Sequence, residues 1–100
     1  MDERDLTSAA LLSCQRALLG AITPAIRNVS MEWNGLKNLK LKVYYDTQPS
    51  EDEIEDMEIV ISEIVADLPF EWVEEVEIIV SSAPLKDLKY LKHLVYCRKE

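Results

Sequence analysis

The apolar residues of this chain recur at two different periods, and the change between them limits which segments can lie in a sheet. Val29, Met31 and Trp33 alternate with Ser30, Glu32 and Asn34, and further on Leu39, Leu41, Val43 and Tyr45 alternate with Lys40, Lys42 and Tyr44. Successive side chains of a strand point to opposite faces, so each arm should present one buried face and one wet face. Asn34-Gly35 lies between the arms and is the pair best suited to the positive φ angles of a two-residue type I′ turn. This spacing predicts a hairpin whose wet face carries Arg27, Glu32, Lys40 and Lys42, with Lys37 near the turn.

After Pro49 the apolar spacing becomes three and four. Ser50 followed by Glu53 forms a capping box, and Ile54, Met57, Val60, Ile61, Ile64, Val65 and Leu68 fall within roughly 140° of a helical projection. Asp52, Glu55, Asp56, Glu63 and Asp67 fall opposite, with Ile59 among them, and Pro69 ends the helix. An earlier helix is expected from about Ser8 to Leu19, capped by Thr7 or Ser8, burying Leu11, Cys14 and Leu18, and stopped by Gly20. In a third strand Val76, Ile78 and Val80 face inward, with Glu75, Glu77 and Ile79 outward. A polar connection, APLKDLKYLK, has room for one helical turn. A short last strand then places His93, Val95 and Cys97 on one face and Leu94, Tyr96 and Arg98 on the other. The order is α-β-β-α-β-β. The fold class is therefore α+β, a two-layer sandwich with a four-stranded, mainly antiparallel sheet and two helices on one face. One domain spans residues 1–100, with residues 1–7 expected to be flexible.

Composition removes several classes of function. With 48% hydrophobic and 30% charged residues and only two Gly, the chain is neither disordered nor fibrous. No apolar run exceeds four residues, whereas a membrane span needs about 20. The acidic start MDERDLTSA lacks the basic opening of a signal peptide, so a cytoplasmic location is expected. In that compartment Cys14 and Cys97 should be reduced, packed thiols.

Catalytic sets are hard to assemble from these residues. His93 is the only histidine, and Cys97 on the same strand face would lie about 13 Å away, beyond hydrogen-bond reach. Acids are plentiful, but acid–base work needs one carboxyl in an apolar pocket, and these sit opposite the apolar stripe. The segment SEDEIEDME has neither the glycine nor the ligand spacing of a calcium loop. There is no Gly-rich phosphate loop, CxxC pair or nucleophile elbow. The residues predict a protein without catalytic activity, cofactor or metal.

Charge is where the chain departs from an ordinary solvated domain. Between Val43 and Leu85 stand thirteen acids and no Lys or Arg, within a net charge of −8. A helix in water usually mixes signs through Glu-to-Lys pairs four residues apart, but this one sets Glu51 against Glu55, Asp52 against Asp56 and Glu63 against Asp67. The plain reading is a solvated face and a charged sheet edge. The functional reading is a surface for a basic protein, carried by Glu55, Asp56, Ile59, Glu63 and Asp67 on the helix and Glu75 and Glu77 on the strand. Phe70 and Trp72 stand nearby as aromatic anchors. The same charge argues against nucleic acid as a partner.

The pieces LLSCQRALLGAITPAIRNVSMEW, YYDTQPSEDEIEDMEIVISEIVADLPF, VEEVEII and LVYCRKE are similar to small acidic bacterial immunity proteins of contact-dependent growth inhibition and related toxin systems. The resemblance covers nearly the whole chain after about residue 9 and lies in core and charge positions rather than in a catalytic motif. It implies a cytoplasmic antidote, a monomer or weak homodimer, that covers the active site of a cognate toxin domain. Such toxins are often basic nucleases, against which acids take the place of phosphates. The rival reading is a self-associating adaptor whose acidic helix meets the lysine-bearing hairpin of a second copy.

Overall fold

The computed structural model describes residues 2–69 and 71–100. Its elements are α1 (Glu3–Leu18), β1 (Ile26–Trp33), β2 (Asn38–Tyr45), α2 (Glu51–Asp67), β3 (Val73–Val80) and β4 (His93–Cys97), with a short 3-10 turn at Leu85–Asp87. The strands lie in the order β3-β2-β1-β4. β1 pairs antiparallel with both β2 and β4, while β2 and β3 run parallel. The parallel pair follows from α2, because a helical crossover returns the chain to the end of the sheet where β2 began. The sheet is thus mixed but mainly antiparallel, in the predicted α+β order.

α1 starts well before Ser8. The Asp2 carboxylate accepts a hydrogen bond from the Asp5 amide at 2.8 Å and caps the helix, and Glu3 and Asp5 suit its positive end. Thr7 is an interior residue whose hydroxyl donates to the Glu3 carbonyl. Ala10, Ser13, Cys14 and Leu18 face inward, and Gly20 at φ 86° turns the chain away in the left-handed region.

The hairpin forms with a different turn from the one expected. The Leu36 amide donates to the Asn34 side chain at 2.9 Å, the Lys37 amide donates to the Asn34 carbonyl, and the Asn34 amide donates to Asn38. This is a turn over Gly35 and Leu36 followed by Lys37 in the left-handed region at φ 60°. Asn34 acts through its side-chain oxygen, which holds the turn in place of the positive φ that a type I′ turn would require.

One face of the sheet meets both helices. Tyr45 is fully buried there with Ile26, Met31, Leu39 and Leu41, beside Met57 and Ile64, and each of the aliphatic side chains contributes roughly 1.5–3 kcal/mol of burial. The other face is not wet throughout. The chain must travel from β3 at one edge to β4 at the other, so residues 81–92 cross that face. Tyr44 both donates to the Lys89 carbonyl and accepts from its amide, and the Leu91 amide donates to Ser30. Asn28, Ser30 and Tyr44 are buried as a result.

Arg27 is likewise buried rather than exposed. Its guanidinium donates to the Ser81 and Ala83 carbonyls at 2.9 and 2.6 Å and forms a fork with the Glu100 carboxylate at 2.8 and 3.0 Å. A register shift between Val29 and Ser30 makes Val95 an extra residue in β4. That bulge breaks the alternation: Tyr96 packs on the core, and Cys97 is exposed rather than packed.

Candidate partner-binding surface

α2 supplies the centre of the surface. The Ser50 hydroxyl accepts from the Glu53 amide at 3.1 Å, and the Ser50 amide donates back to the Glu53 carboxylate. Glu53 also accepts from Thr23 at 2.8 Å, which ties the start of the helix to the loop before β1. Met57, Val60, Ile61 and Ile64 are buried on the inner side. Ile59 is 48% exposed on the outer side, in a shallow depression it shares with Glu55, Glu58, Ser62, Glu63 and Ala66. Among the described residues no cation pairs with Glu55, Glu58 or Glu63.

The remaining predicted residues are distributed less simply. Asp56 is half-buried on the flank of α2, and Asp67 accepts a hydrogen bond from the buried Ser13 of α1 at 2.7 Å. Asp67 therefore joins the two helices. Glu75 and Glu77 pair in register with Lys40 and Lys42 of β2, on the face of the sheet away from the helices. Lys40 Nζ lies 3.1 Å from the Glu77 carboxylate, and this bond raises the pKa of Lys40 above its usual value. Lys42 sits 5.2 Å from the ring centre of Tyr44. The bases missing from the acid block thus come from the adjoining strand.

The block accordingly splits between two faces of the molecule. Glu55, Ile59 and Glu63 look out from the helix layer, Glu75 and Glu77 from the far side of the sheet, and β3 forms the rim between them. Glu74 sits on that rim. Its side chain points to the helix side and accepts from Ser62 of α2 at 3.3 Å. Glu58, Ser62 and Glu74 stand on this same surface, outside the set predicted from the sequence. For Glu58 and Ser62 a signal was present, since both stand three or four positions from Glu55 or Ile59 on the helix. For Glu74 it lay only in the pairing of β3.

Of the proposed aromatic anchors, Phe70 lies outside the described residues. Trp72 packs against the core and donates its indole N–H to the Pro69 carbonyl at 2.9 Å, so it serves the fold. His93 stacks on Trp33 with ring centres 4.8 Å apart. Burial pushes the Cys14 thiol up to about 12, which keeps it protonated and unreactive. No cluster of three or more His, Cys, Asp or Glu side chains is arranged to hold a metal among the described residues. No helix there is long and apolar enough to cross a membrane.

Among the described residues, α2 thus groups carboxylates without a cation partner around one half-exposed apolar side chain. In comparison with known families, the model described as MafI2 immunity protein matches residues 7–100. The chain belongs to the MafI2 immunity protein family. Membership carries a toxin-neutralising role and a cognate toxin protein as partner. No curated protein matches the chain.

Proposed function

We propose that this immunity protein neutralises its toxin without catalysis, by laying the acidic outer face of α2 against a basic surface of the toxin domain. The observation that carries this reading is the depression around Ile59, where Glu55, Glu58 and Glu63 have no cation partner among the described residues. Carboxylates on a solvated helix repel one another at close spacing. A basic partner relieves that repulsion on binding and is drawn in faster by the field. Ile59 supplies the apolar contact at the centre, Asp56 adds charge on the flank of α2, and Glu75 extends the acidic surface onto the other face of the sheet.

A nuclease-type toxin suits this arrangement, since a cleft built for phosphates accepts carboxylates in their place. Action in the cytoplasm, within contact-dependent growth inhibition or a related delivery system, accords with the family and with the charge. The self-associating alternative is weakened by Lys40 and Lys42, which are already engaged with Glu77 and Tyr44 of their own chain.

The test is inhibition of the purified cognate toxin domain acting on RNA. Stoichiometric immunity protein should abolish cleavage, and added salt should weaken the inhibition. Cleavage undiminished at molar excess, with the two proteins failing to co-elute, would overturn the reading.

A further inference from the structure

We infer that the toxin docks by adding an extended basic segment to the free edge of β3. This deepens the reading above and rests on it. β3 is the terminal strand of the sheet and, among the described residues, pairs only with β2. The amides of Val73 and Ser81 donate to Lys37 and Tyr45, at the two ends of that pairing. Backbone groups alternate sides along a strand, so those of Glu75, Glu77 and Ile79 also aim at β2. The N–H and C=O groups of Glu74, Val76, Ile78 and Val80 therefore aim outward, at an edge that no element of the sheet covers.

The side chains around this edge select its occupant. A strand laid against β3 alternates its own side chains between the two faces of the sheet. On the helix side they enter the groove lined by Glu58, Ser62, Glu74 and Val76. On the other side they come beside Glu75 and Glu77. A basic residue of the added strand lying beside the Glu74–Glu77 half of β3 therefore meets a carboxylate, whichever face it points to. This accounts for the division of the acid block between two surfaces: the rim is where one segment can reach both. A second copy of this chain is a poor occupant, because two β3 edges would bring Glu74, Glu75 and Glu77 against their own kind.

Amide hydrogen exchange on the chain, free and bound to the cognate toxin domain, reads this directly. Exchange at Glu74, Val76, Ile78 and Val80 should slow at least about tenfold on binding. Val80→Pro removes an outward N–H without removing a bond to β2, and should weaken toxin binding about tenfold while the circular dichroism spectrum is kept. Toxin bound with β3 exchange unchanged would overturn the edge proposal and leave the toxin-binding reading standing. Absence of any complex would remove both. Slowed β3 exchange in the free chain that grows with its concentration would assign the edge to a second copy and overturn the proposal.

Discussion

Lys40 of β2 and Glu77 of β3 hold each other across the parallel strand pair at 3.1 Å, although a long base-free segment and all of α2 separate them in sequence. Two acids in the same block therefore differ in kind: Glu77 has a cation at home, whereas Glu55 has none among the described residues. Both partners of the Lys40–Glu77 bond are about a third exposed, so their coupling in a double-mutant cycle should be about 0.5 kcal/mol or less. Replacing Glu77 by Gln should slow toxin association less than replacing Glu55 by Gln. Stopped-flow mixing of each variant with the toxin domain compares them.

The two glycines should respond oppositely to alanine. Gly20 occupies the left-handed region at φ 86°, so Gly20→Ala should cost about 1 kcal/mol. Gly35 has no such angle and open space where a Cβ would stand, so Gly35→Ala should be neutral or stabilise by up to about 1 kcal/mol. Urea unfolding of the two variants checks the signs.

The last strand is closed by a charged clasp. Glu100 accepts from both Arg27 and Arg98, and Arg98 also donates to Asp46 at 2.8 Å. The hydrogen bond from Arg27 holds the Glu100 carboxyl below its usual pKa. A carboxylate lowered in the folded state stabilises it above the unfolded pKa, and that contribution disappears as pH falls through the folded one. The stability gap between the parent and Glu100→Gln should therefore be largest at neutral pH and close in acid. Thermal melts across that range measure the gap. Arg27→Met leaves the Ser81 and Ala83 carbonyls without their donor and should cost on the order of 2–3 kcal/mol.

The cysteines should separate cleanly by reactivity. Cys14 is fully buried with its thiol pushed up to about 12, whereas Cys97 is exposed. A thiol reagent at mildly alkaline pH should label Cys97 in the folded protein and both cysteines in guanidinium.

Local chemistry is what made much of this molecule legible in its sequence. Alternation from Val29 to Tyr45 and the Ser50–Glu53 box are relations between near neighbours, and both became the elements they imply. The usual backbone preference of Asn34-Gly35 points to a type I′ turn, but the Asn34 side chain bonds Leu36 and the left-handed residue falls at Lys37. Alternation alone puts Arg27 on a wet face, because its cover, residues 81–83 and Glu100, arrives from far along the chain. The surface followed the same rule. Ile59 and its flanking acids are set by helical spacing alone, while the home partners of Asp67 and Glu77 exist only once α1 packs on α2 and β3 pairs with β2.

Charge reversal on α2 tests the proposed face most directly. Glu55→Lys and Glu63→Lys together leave the core untouched and should slow association with the toxin domain by about tenfold or more at low salt, with the difference shrinking as salt rises. Ile59→Ala, at a half-exposed position, should change stability by no more than about 0.5 kcal/mol and instead speed dissociation. The decisive quantity is the association rate constant of the doubly reversed, folded variant at two ionic strengths. A large, salt-sensitive loss is the predicted result, and a rate equal to the parent's at both strengths would contradict it.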